Sequence, residues 1–294
     1  MTNENIVVTG ATGNIGSRVV LELRARRHDG VIAFVRDPNK AEHLARAGAT
    51  LRRGAFEDAS SLREAFTGAD TVVLVNAGPN QLEQCRAALE VARAAGVRKV
   101  VKISGQRAAA DAPTELTRQA ARSEALLRES GIAYVILRGN SFMQNLLPLV
   151  PTIHAQGKIF YGVGDAKVGM VDTRDIADAA VAAATSDAWN GRTFELTGPA
   201  SVDLYAVARA IAKELGREVT YVPVPPAAVG EAARQHGAEA WLAQAITEFC
   251  AANSEGWSDF ATDDVATLTG HPPRSIEDFV RELLVPAVRA WERR

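Results

Sequence analysis

The sequence predicts an α/β fold: a doubly wound parallel sheet followed by a smaller C-terminal α+β domain. Short apolar runs rich in Val and Ile alternate with helical runs rich in Ala, Leu, Arg and Glu, and several helical runs end at a glycine. Strands that are apolar on both faces and separated by helices are typical of a parallel sheet covered on both sides. The alternation loosens after residue 150, which indicates the second domain.

The first domain is predicted to hold six strands with helices between them. The strands are 5–9, 31–35, 49–53, 71–75, 99–104 and 133–138, and the helices are 14–27, 39–47, 59–67, 80–95 and 114–130. Glycines just past four of these helices are typical left-handed caps. We therefore take 1–150 as a nucleotide-binding domain and 151–294 as a substrate-binding cap domain.

The second domain is predicted to interleave with the sheet through segments near 167–198. Residues 172–185 have the acidic first turn of a helix, and 192–198 are predicted to be a returning strand. A helix over 201–216 and a short strand at 218–225 follow, whereas 157–164 and 166–171 could be a strand pair or loops. Residues 227–252 are mostly helical, with a predicted apolar stripe of Trp241, Leu242, Ala245, Ile246 and Phe249.

Composition excludes several classes of protein. The formal net charge is −2 over 294 residues, which argues against nucleic acid as the main partner. Two cysteines, Cys85 and Cys250, make neither a disulfide framework nor a metal cluster, so we expect no metal and a reducing cytoplasm. No run approaches the roughly 18 apolar residues of a membrane span, and no leader is evident. A monomer or a homodimer is expected.

The segment IVVTGATGNIGSRVV, residues 6–20, contains the most informative motif. Gly10, Gly13 and Gly16 are spaced by three between a strand and a helix. A glycine-rich turn in this setting lets backbone N–H groups approach a pyrophosphate, and the following helix directs its positive end at that anion. Thr12, Asn14 and Ile15 complete the predicted cradle. The alternative is a tight turn without a ligand.

The string TGATGNIG resembles the fingerprint of extended and atypical short-chain dehydrogenases/reductases. The strings VRDPNKAEHLARAGATLRRGAFEDASSLREAFTGADTVVLV and SGIAYVILRGNSFMQNL are similar to the NmrA-like branch, which includes triphenylmethane reductase and NADPH:quinone oxidoreductases. The resemblance is loosest beyond residue 226. It implies a Rossmann core that binds NADP(H) and a C-terminal substrate domain.

The end of the second strand predicts NADP(H) rather than NAD(H). Arg36 stands where an acid would hydrogen-bond the ribose 2′-OH and repel a 2′-phosphate. An arginine can instead clamp a phosphate with two parallel hydrogen bonds. Asp37, before Pro38, suits a turn, and Lys40 is a possible second cation. The alternative for Arg36 is a solvated surface side chain.

Further coenzyme contacts are expected where other strands end. The resemblance places Gly54–Asp58 near adenine, where Ala55 replaces the acid or amide of many relatives. Either Phe56 or Asp58 takes that place, or the adenine is held less specifically. Asn76, Ala77 and Gly78 follow the fourth strand, and their small size would let the backbone approach the coenzyme; an ordinary loop is the alternative.

The helix at 113–130 lacks the residues of the usual short-chain dehydrogenase mechanism. It contains no Tyr and no Lys, so the Tyr–Lys proton-transfer pair is absent. Ala120 stands where other members of the branch have a His or a Lys. Glu124 is interpreted as structural, because Arg128 at i+4 is a stabilising partner on a helix.

The remaining candidates follow from the resemblance. Ser104 lies where the family's Ser faces the nicotinamide, and we expect it to orient a carbonyl or quinone oxygen, with an amide hydrogen bond from Gln106. Candidate positions on the substrate side are Asn140, Phe142, Met143 and Asn145, with Asn140 also expected at the coenzyme. His154 is the one histidine considered for catalysis. The alternative is a strand-end turn for Ser104 and Gln106, plain packing for Phe142 and Met143, and a helix-end histidine favoured by the helix dipole for His154.

The sequence therefore predicts an NADPH-dependent reductase of an aromatic, quinone-like or conjugated small molecule that works without a Tyr–Lys pair. Two alternatives stay open. The first is a non-catalytic NADP(H)-binding redox sensor, because the missing pair fits it equally well. The second is a tailoring enzyme of aromatic natural products that reduces or couples rings.

Overall fold

The computed structural model describes residues 4–291, and its chain contacts divide into two compact units. The first unit comprises Met1–Asp111, Leu116–Arg138 and Thr173–Glu195, and the second comprises Ala112–Glu115, Gly139–Asp172 and Leu196–Arg294. The second unit thus begins its main segment at Gly139, whereas the sequence pattern placed the change near residue 150. Residues 173–195 belong to the first unit.

A seven-stranded sheet forms the centre of the first unit, as predicted. Its strands are β1 (Ile6–Val8), β2 (Val31–Val35), β3 (Thr50–Arg53), β4 (Thr71–Leu74), β5 (Lys99–Gly105), β6 (Ala133–Gly139) and β8 (Arg192–Leu196). They lie in the order β3-β2-β1-β4-β5-β6-β8, and the pairs from β3 to β5 are parallel. The order reverses direction at β1, which places the carboxyl ends of β1 and β4 side by side.

The helices of the first unit cover the sheet because each presents an apolar stripe to buried strands. They are α1 (Asn14–Ala25), α2 (Glu42–Arg46), α3 (Ala59–Phe66), α4 (Gln81–Ala94), α5 (Glu115–Glu129) and α7 (Thr173–Ala184), with a 3₁₀ turn at Pro38–Ala41. One core layer joins Val7, Val72 and Val100 of the sheet to Leu62 of α3 and Leu127 of α5. The predicted boundaries of α1–α5 are correct to within a few residues.

The second unit is mainly helical. It contains α6 (Val150–Gln156), α8 (Leu204–Leu215), α9 (Pro226–Gln235), α10 (Ala240–Ser254), α11 (Asp264–Thr269), α12 (Ile276–Phe279) and α13 (Val285–Trp291). A two-stranded parallel sheet pairs β7 (Lys158–Tyr161) with β9 (Thr220–Pro223). Residues 166–171 form no strand of their own and make only isolated bridges, Val168 with Val202 and Val171 with Phe142.

The predicted apolar stripe on α10 is only partly buried. Ala245 is buried, Trp241, Ile246 and Phe249 are partly buried and Leu242 is 39% exposed, and the other buried positions are small or polar, among them Ala243 and Asn253. The reason is the close approach of α9, where a Cβ added at Gly230 would overlap Thr247 Oγ1 and lie 2.6 Å from Ala243 O. Small residues therefore make this helix contact. Among the described residues, no helix is long and apolar enough to cross a membrane.

Candidate coenzyme and active site

The glycine-rich turn between β1 and α1 is held by close backbone contacts. Gly10 has a φ of 57°, and a Cβ there would lie 2.7 Å from Val75 O. A Cβ at Gly16 would overlap Gly10 O. Gly13 differs, because its φ is −85° and an added Cβ would come no closer than 3.3 Å to Gly10 O. Gly10 and Gly16 are thus required by the turn itself, whereas Gly13 is required only weakly.

The first turn of α1 has no side-chain cap. Gly13 is the N-cap residue, and the first turn contains no acidic residue. The first helical hydrogen bond runs from the Ser17 N–H to Gly13 O at 3.0 Å. The N–H groups of Asn14, Ile15 and Gly16 therefore have no i−4 partner, as at any helix start. Thr12 and Asn14 are exposed beside them, whereas the Ile15 side chain is 6% exposed and belongs to the core.

Thr9 fixes the turn against the end of β4. Its hydroxyl donates to Val75 O at 3.0 Å and accepts from the Val75 N–H at 2.9 Å. The side chain is fully buried. The sequence interpretation missed this residue, although a threonine closing an apolar strand directly before the first glycine was a visible signal. Because it joins β1 to β4 beyond the ladder, Thr9 determines where the glycine turn begins.

Arg36 extends from the carboxyl end of β2 into solvent. It makes no hydrogen bond or ion pair with any residue from 4 to 291. The neighbouring acid, Asp37, accepts from the Asn39 N–H at 3.0 Å and caps the following 3₁₀ turn. Lys40 is exposed in the same turn. An unpaired guanidinium is therefore present where the coenzyme ribose is expected. The adjacent Asp37 carboxylate is already hydrogen-bonded to the backbone.

In the loop after β3, the Asp58 carboxylate is used within the protein, and Phe56 is the side chain available to a ligand. Asp58 caps α3 by accepting from the Ser60 and Ser61 N–H groups, and the Ser60 hydroxyl bond holds the pKa of that carboxyl below its ordinary value. Phe56 is partly buried and packs edge-on against Phe34, with ring centroids 6.2 Å apart. Of the two candidates for the adenine side, the contacts favour Phe56.

Both the amide nitrogen and the amide oxygen of Asn76 form hydrogen bonds within the protein. Its Nδ2 donates to Gln81 O at 2.7 Å, and its Oδ1 accepts from Lys102 Nζ at 3.1 Å. Gln81 Nε2 in turn donates to Leu116 O at 2.7 Å. The side chain of Asn76 therefore shapes the loop, and any contact with the coenzyme falls to the backbone of Asn76, exposed Ala77 and Gly78, whose φ is 107°.

Lys102 is a fully buried lysine on β5 that the sequence interpretation missed. Burial lowers the pKa of its ammonium, an effect that nearby Cys85 and Glu124 only partly oppose. Besides Asn76, its only other acceptor in the described part of the chain is Ile103 O at 3.5 Å. The signal was present in the run KVVKIS, since a lysine inside a strand that is buried on both faces requires an internal partner.

Ser104 and Glu124 form a buried pair beside a strong ion pair. Glu124 is fully buried, and its Oε1 accepts from the Ser104 hydroxyl at 2.7 Å and from Arg138 Nε at 2.9 Å. Its Oε2 accepts from one guanidinium nitrogen of Arg138 at 2.7 Å and of Arg128 at 3.1 Å. The expected i+4 partner Arg128 is thus present, but Arg138 makes the closer contacts. Burial opposes the charge of Arg138, yet Glu124 and Glu195 raise its pKa above the ordinary value.

The turn after β5 is held by Glu195 on β8. Both carboxylate oxygens of Glu195 accept from the Arg107 N–H, at 3.2 and 3.1 Å, and Oε1 also accepts from Arg138 at 2.9 Å. Arg107 has a φ of 45°, which is unusual for a residue with a side chain. Gln106, just before it, is 2% exposed. Arg138 thus connects the Ser104 pair to the turn that carries Gln106.

The substrate-side and histidine candidates lie in the second unit and differ in exposure. Phe142 is partly exposed and Asn145 is exposed. Met143 is 1% exposed and packs in the core of that unit, so its contacts are those of a core residue. Asn140 donates to Ser258 O at 3.2 Å and accepts from the Ser141 N–H at 2.6 Å, which commits its amide internally.

His154 lies in the last turn of α6, shortly before the left-handed cap residue Gly157. The helix dipole favours a basic residue at this position. Arg217 donates to His154 O at 3.0 Å, so the backbone of this turn is also bonded. These surroundings are those of a helix end.

Comparison with known proteins identifies the family. Residues 10–187 match the model of a family described as NAD(P)H-binding. The chain belongs to this NAD(P)H-binding family. It is 32% identical to the NAD(P)H azoreductase of Xenophilus azovorans over 94% of this chain and 96% of that protein.

Two solved structures extend the comparison. Quinone oxidoreductase 2 of Escherichia coli in complex with NADPH is 28% identical, covers 95% of this chain and 99% of its own, and superposes with a TM-score of 0.86. Triphenylmethane reductase of Citrobacter sp. in complex with NADP(H) is 24% identical over 95% of this chain and all of its own, with a TM-score of 0.85, and shows the same fold. The resemblance to the NmrA-like branch is confirmed, as is the prediction of an NAD(P)H-dependent oxidoreductase.

The residues of this NAD(P)H-binding chain fit the coenzyme on their own geometry. The uncapped first turn of α1 offers backbone N–H groups to a pyrophosphate, and a Cβ added at Gly13 would have only Gly10 O, at 3.3 Å, within 4 Å. Arg36 supplies a cation without a partner among the described residues. Over residues 4–291, no cluster of three or more His, Cys, Asp or Glu side chains is arranged to hold a metal ion.

Proposed function

We propose that the protein is an NADPH-dependent reductase of an aromatic, quinone-like or otherwise conjugated small molecule. The observation that carries the proposal is that two features lie at neighbouring strand ends. The glycine-rich turn leads into helix α1, which has no side-chain cap, and Arg36 has no partner among the described residues. Similarity to an azoreductase and to a quinone oxidoreductase supports the substrate class.

The preference for NADPH over NADH rests on charge. Arg36 would meet the 2′-phosphate, and Lys40 is exposed in the same turn. Asp37, the acid beside them, already accepts a backbone hydrogen bond and caps the 3₁₀ turn. Within the described residues, the positive charge at the end of β2 is therefore not cancelled by an ion pair. Phe56 would offer a ring face or edge to the adenine, and the backbone at residues 76–78 would approach the coenzyme.

The proposed mechanism relies on positioning instead of a strong side-chain acid. When bound, NADPH supplies a hydride. Helix α5 contains neither Tyr nor Lys, so the chain lacks the usual proton donor of short-chain dehydrogenases at that place. A quinone that accepts hydride becomes a stabilised phenolate, to which water can deliver the proton. The chain then has to align the reactants and exclude competing reactions. Phe142 and Asn145 are the proposed substrate-side residues.

The test is oxidation of NADPH by wild-type protein with menadione, an azo dye and a saturated ketone as separate acceptors. We expect turnover with the quinone and the azo dye and none with the ketone, because reduction of an isolated carbonyl needs a proton donor. Loss of the near-ultraviolet absorbance of NADPH measures the rate. Arg36→Glu is assayed with the same acceptors. This variant tests whether the oxidation depends on NADPH bound at Arg36.

Turnover of the saturated ketone at a comparable rate would contradict the mechanism. If NADPH binds but no conjugated acceptor oxidises it, the reductase proposal fails. A non-catalytic NADP(H)-binding sensor then becomes the better description.

A further inference from the structure

The pair Ser104 and Glu124 has a defined hydrogen-bond direction. Glu124 is fully buried and in contact with two guanidinium groups, those of Arg138 and Arg128. Guanidinium groups only donate, and both Glu124 oxygens accept from them, so Glu124 acts as a carboxylate acceptor here. An ionised carboxylate only accepts hydrogen bonds.

It follows that the 2.7 Å contact uses the only proton of the Ser104 hydroxyl. The bond from Ser104 Oγ to Glu124 Oε1 is the single side-chain hydrogen bond of Ser104 within the described residues. Both carboxylate oxygens already accept from Arg138, at 2.9 and 2.7 Å, which keeps the carboxylate in place. The Ser104 oxygen therefore keeps its lone pairs and can only accept from a ligand.

This direction does not suit the role expected from the sequence. A quinone oxygen or an azo nitrogen is an acceptor, and an acceptor facing the Ser104 oxygen would be repelled. The nicotinamide carboxamide, by contrast, carries an N–H₂ donor. The inference rests on the proposed function and on the position that the family resemblance implies for Ser104, facing the nicotinamide.

We propose that Glu124 is a positioning residue that fixes Ser104 as a hydrogen-bond acceptor for the carboxamide N–H of the nicotinamide. Ser104 then orients the coenzyme ring, and the substrate oxygen is left to other groups. Arg138 and Arg128 serve this arrangement by holding the Glu124 carboxylate in place through hydrogen bonds. The site thus selects a coenzyme that can donate at this position.

The experiment compares NADP⁺ with its acetylpyridine analogue, in which an acetyl group without N–H replaces the carboxamide. Both are titrated calorimetrically, without substrate, into wild type, Ser104→Ala, Ser104→Thr and Ser123→Ala. Ser123 is a matched control, because it is also a fully buried serine and its hydroxyl has no partner among the described residues.

We expect Ser104→Ala to weaken NADP⁺ roughly three- to tenfold, the range of one lost neutral hydrogen bond, and to leave the analogue unchanged. Ser104→Thr should restore NADP⁺ binding, and Ser123→Ala should change neither ligand. Equal losses for both ligands, or no loss for either, would overturn the proposal. Failure of wild type to bind NADP⁺ at all would instead overturn the proposed function.

A second arm tests Glu124. In Glu124→Gln, the Ser104 proton is no longer held by a carboxylate, so Ser104 is no longer fixed as a hydrogen-bond acceptor. The ratio of NADP⁺ affinity to analogue affinity should therefore fall towards that of Ser104→Ala. A purely structural role would lower both affinities together, so an unchanged ratio in folded Glu124→Gln would remove Glu124 from the proposal. The Ser104 comparison decides the proposal by itself if that variant does not fold.

Discussion

At the scale of single residues, the proposed preference for NADPH rests on the charge at the end of β2. Arg36 is exposed and unpartnered within residues 4–291, whereas Asp37 is held by the Asn39 N–H. A solvated guanidinium can turn towards a phosphate without first breaking an ion pair. A free cation beside a committed anion therefore favours the phosphorylated coenzyme.

We predict that NADPH binds at least about tenfold more tightly than NADH, which is roughly 1.4 kcal/mol. Arg36→Glu should remove that preference, because a carboxylate would repel the 2′-phosphate and accept from the 2′-OH. Calorimetric titration of both coenzymes measures it. Arg93→Glu, the same charge change at an exposed position of α4, is the control. Equal affinities in wild type would refute the assignment.

Lys102 makes stability depend on pH. Burial lowers the pKa of this lysine in the folded protein below the ordinary value of 10.5, so the unfolded chain binds more protons between the two pKa values. The free energy of unfolding should therefore rise with pH in that window, by up to about 1.4 kcal/mol per pH unit.

The test is urea unfolding of wild type and Lys102→Met from neutral pH towards pH 10. The difference in unfolding free energy, wild type minus variant, should increase over this range as the penalty of a buried charge disappears. Lys213→Met, at a lysine on α8 outside the buried core, is the control and should show no such trend. Parallel curves for wild type and Lys102→Met would show that burial does not shift this group.

Some of the contacts of Glu124 could be predicted from the sequence, and others could not. The pair Glu124–Arg128 is local, so i,i+4 spacing reveals it. Ser104 and Arg138 reach Glu124 from two different strands, 20 and 14 residues away, and meet it only after β5, α5 and β6 have packed. Spacing rules on one helix cannot detect such a contact.

At the scale of elements, the turn before α1 separates glycines needed by the backbone from one left for a ligand. Gly10 and Gly16 would bring a Cβ against backbone oxygen atoms, whereas Gly13 has ordinary dihedral angles and a tolerable approach of 3.3 Å. Backbone atoms cannot move aside as the end of a side chain can. Glycine is therefore required for folding at positions 10 and 16. Gly13 is the position at which coenzyme binding can be tested with the least effect on folding.

We predict that Gly13→Ala folds and loses coenzyme affinity by at least about tenfold, since its methyl group would stand where the pyrophosphate approaches. Gly16→Ala, with the same added methyl group three residues later, should instead destabilise the protein by about 1–3 kcal/mol, as overpacking does. Thermal unfolding and NADPH titration of both variants separate the two effects. Normal NADPH affinity in folded Gly13→Ala would contradict the predicted cradle.

Element boundaries followed from periodicity, and the error on α10 has a local cause. Alternation of apolar and helical runs located β1–β6 and α1–α5, because each is covered by its neighbours in the expected way. On α10, large apolar residues suggested the buried stripe, but α9 approaches so closely at Gly230 that only small residues fit. A helix contact made through small residues leaves little trace in a hydrophobic pattern.

At the scale of the whole chain, candidate proton donors are sparse. Helix α5 offers no Tyr and no Lys, and His154 occupies a helix end in the second unit. Lys102 is fully buried and committed to Asn76. In the proposed reaction, water therefore supplies the proton, which favours acceptors whose reduced forms are stable anions.

We predict that no single proton donor is essential. His154→Ala should slow single-turnover oxidation of NADPH by menadione less than about tenfold, and the wild-type rate should vary less than about tenfold from pH 6 to 9. His236→Ala, at another helix end, is the control. A loss beyond about ten-thousandfold from His154→Ala would reveal an essential acid and reject the positioning mechanism.

The missing cap on α1 also bears on the survival of the protein in a cell. Glycine at an N-cap stabilises a helix start by about a few tenths of a kcal/mol less than a capping side chain does, and under the proposed function a dissociable anion takes the place of that side chain. A ligand present at about a hundred times its Kd adds about 2.7 kcal/mol of stability, and proteases act on the fraction of molecules that open. Under the proposed function, a cell that depletes its NADPH would therefore degrade this protein faster, so that its abundance follows the supply of its own reductant.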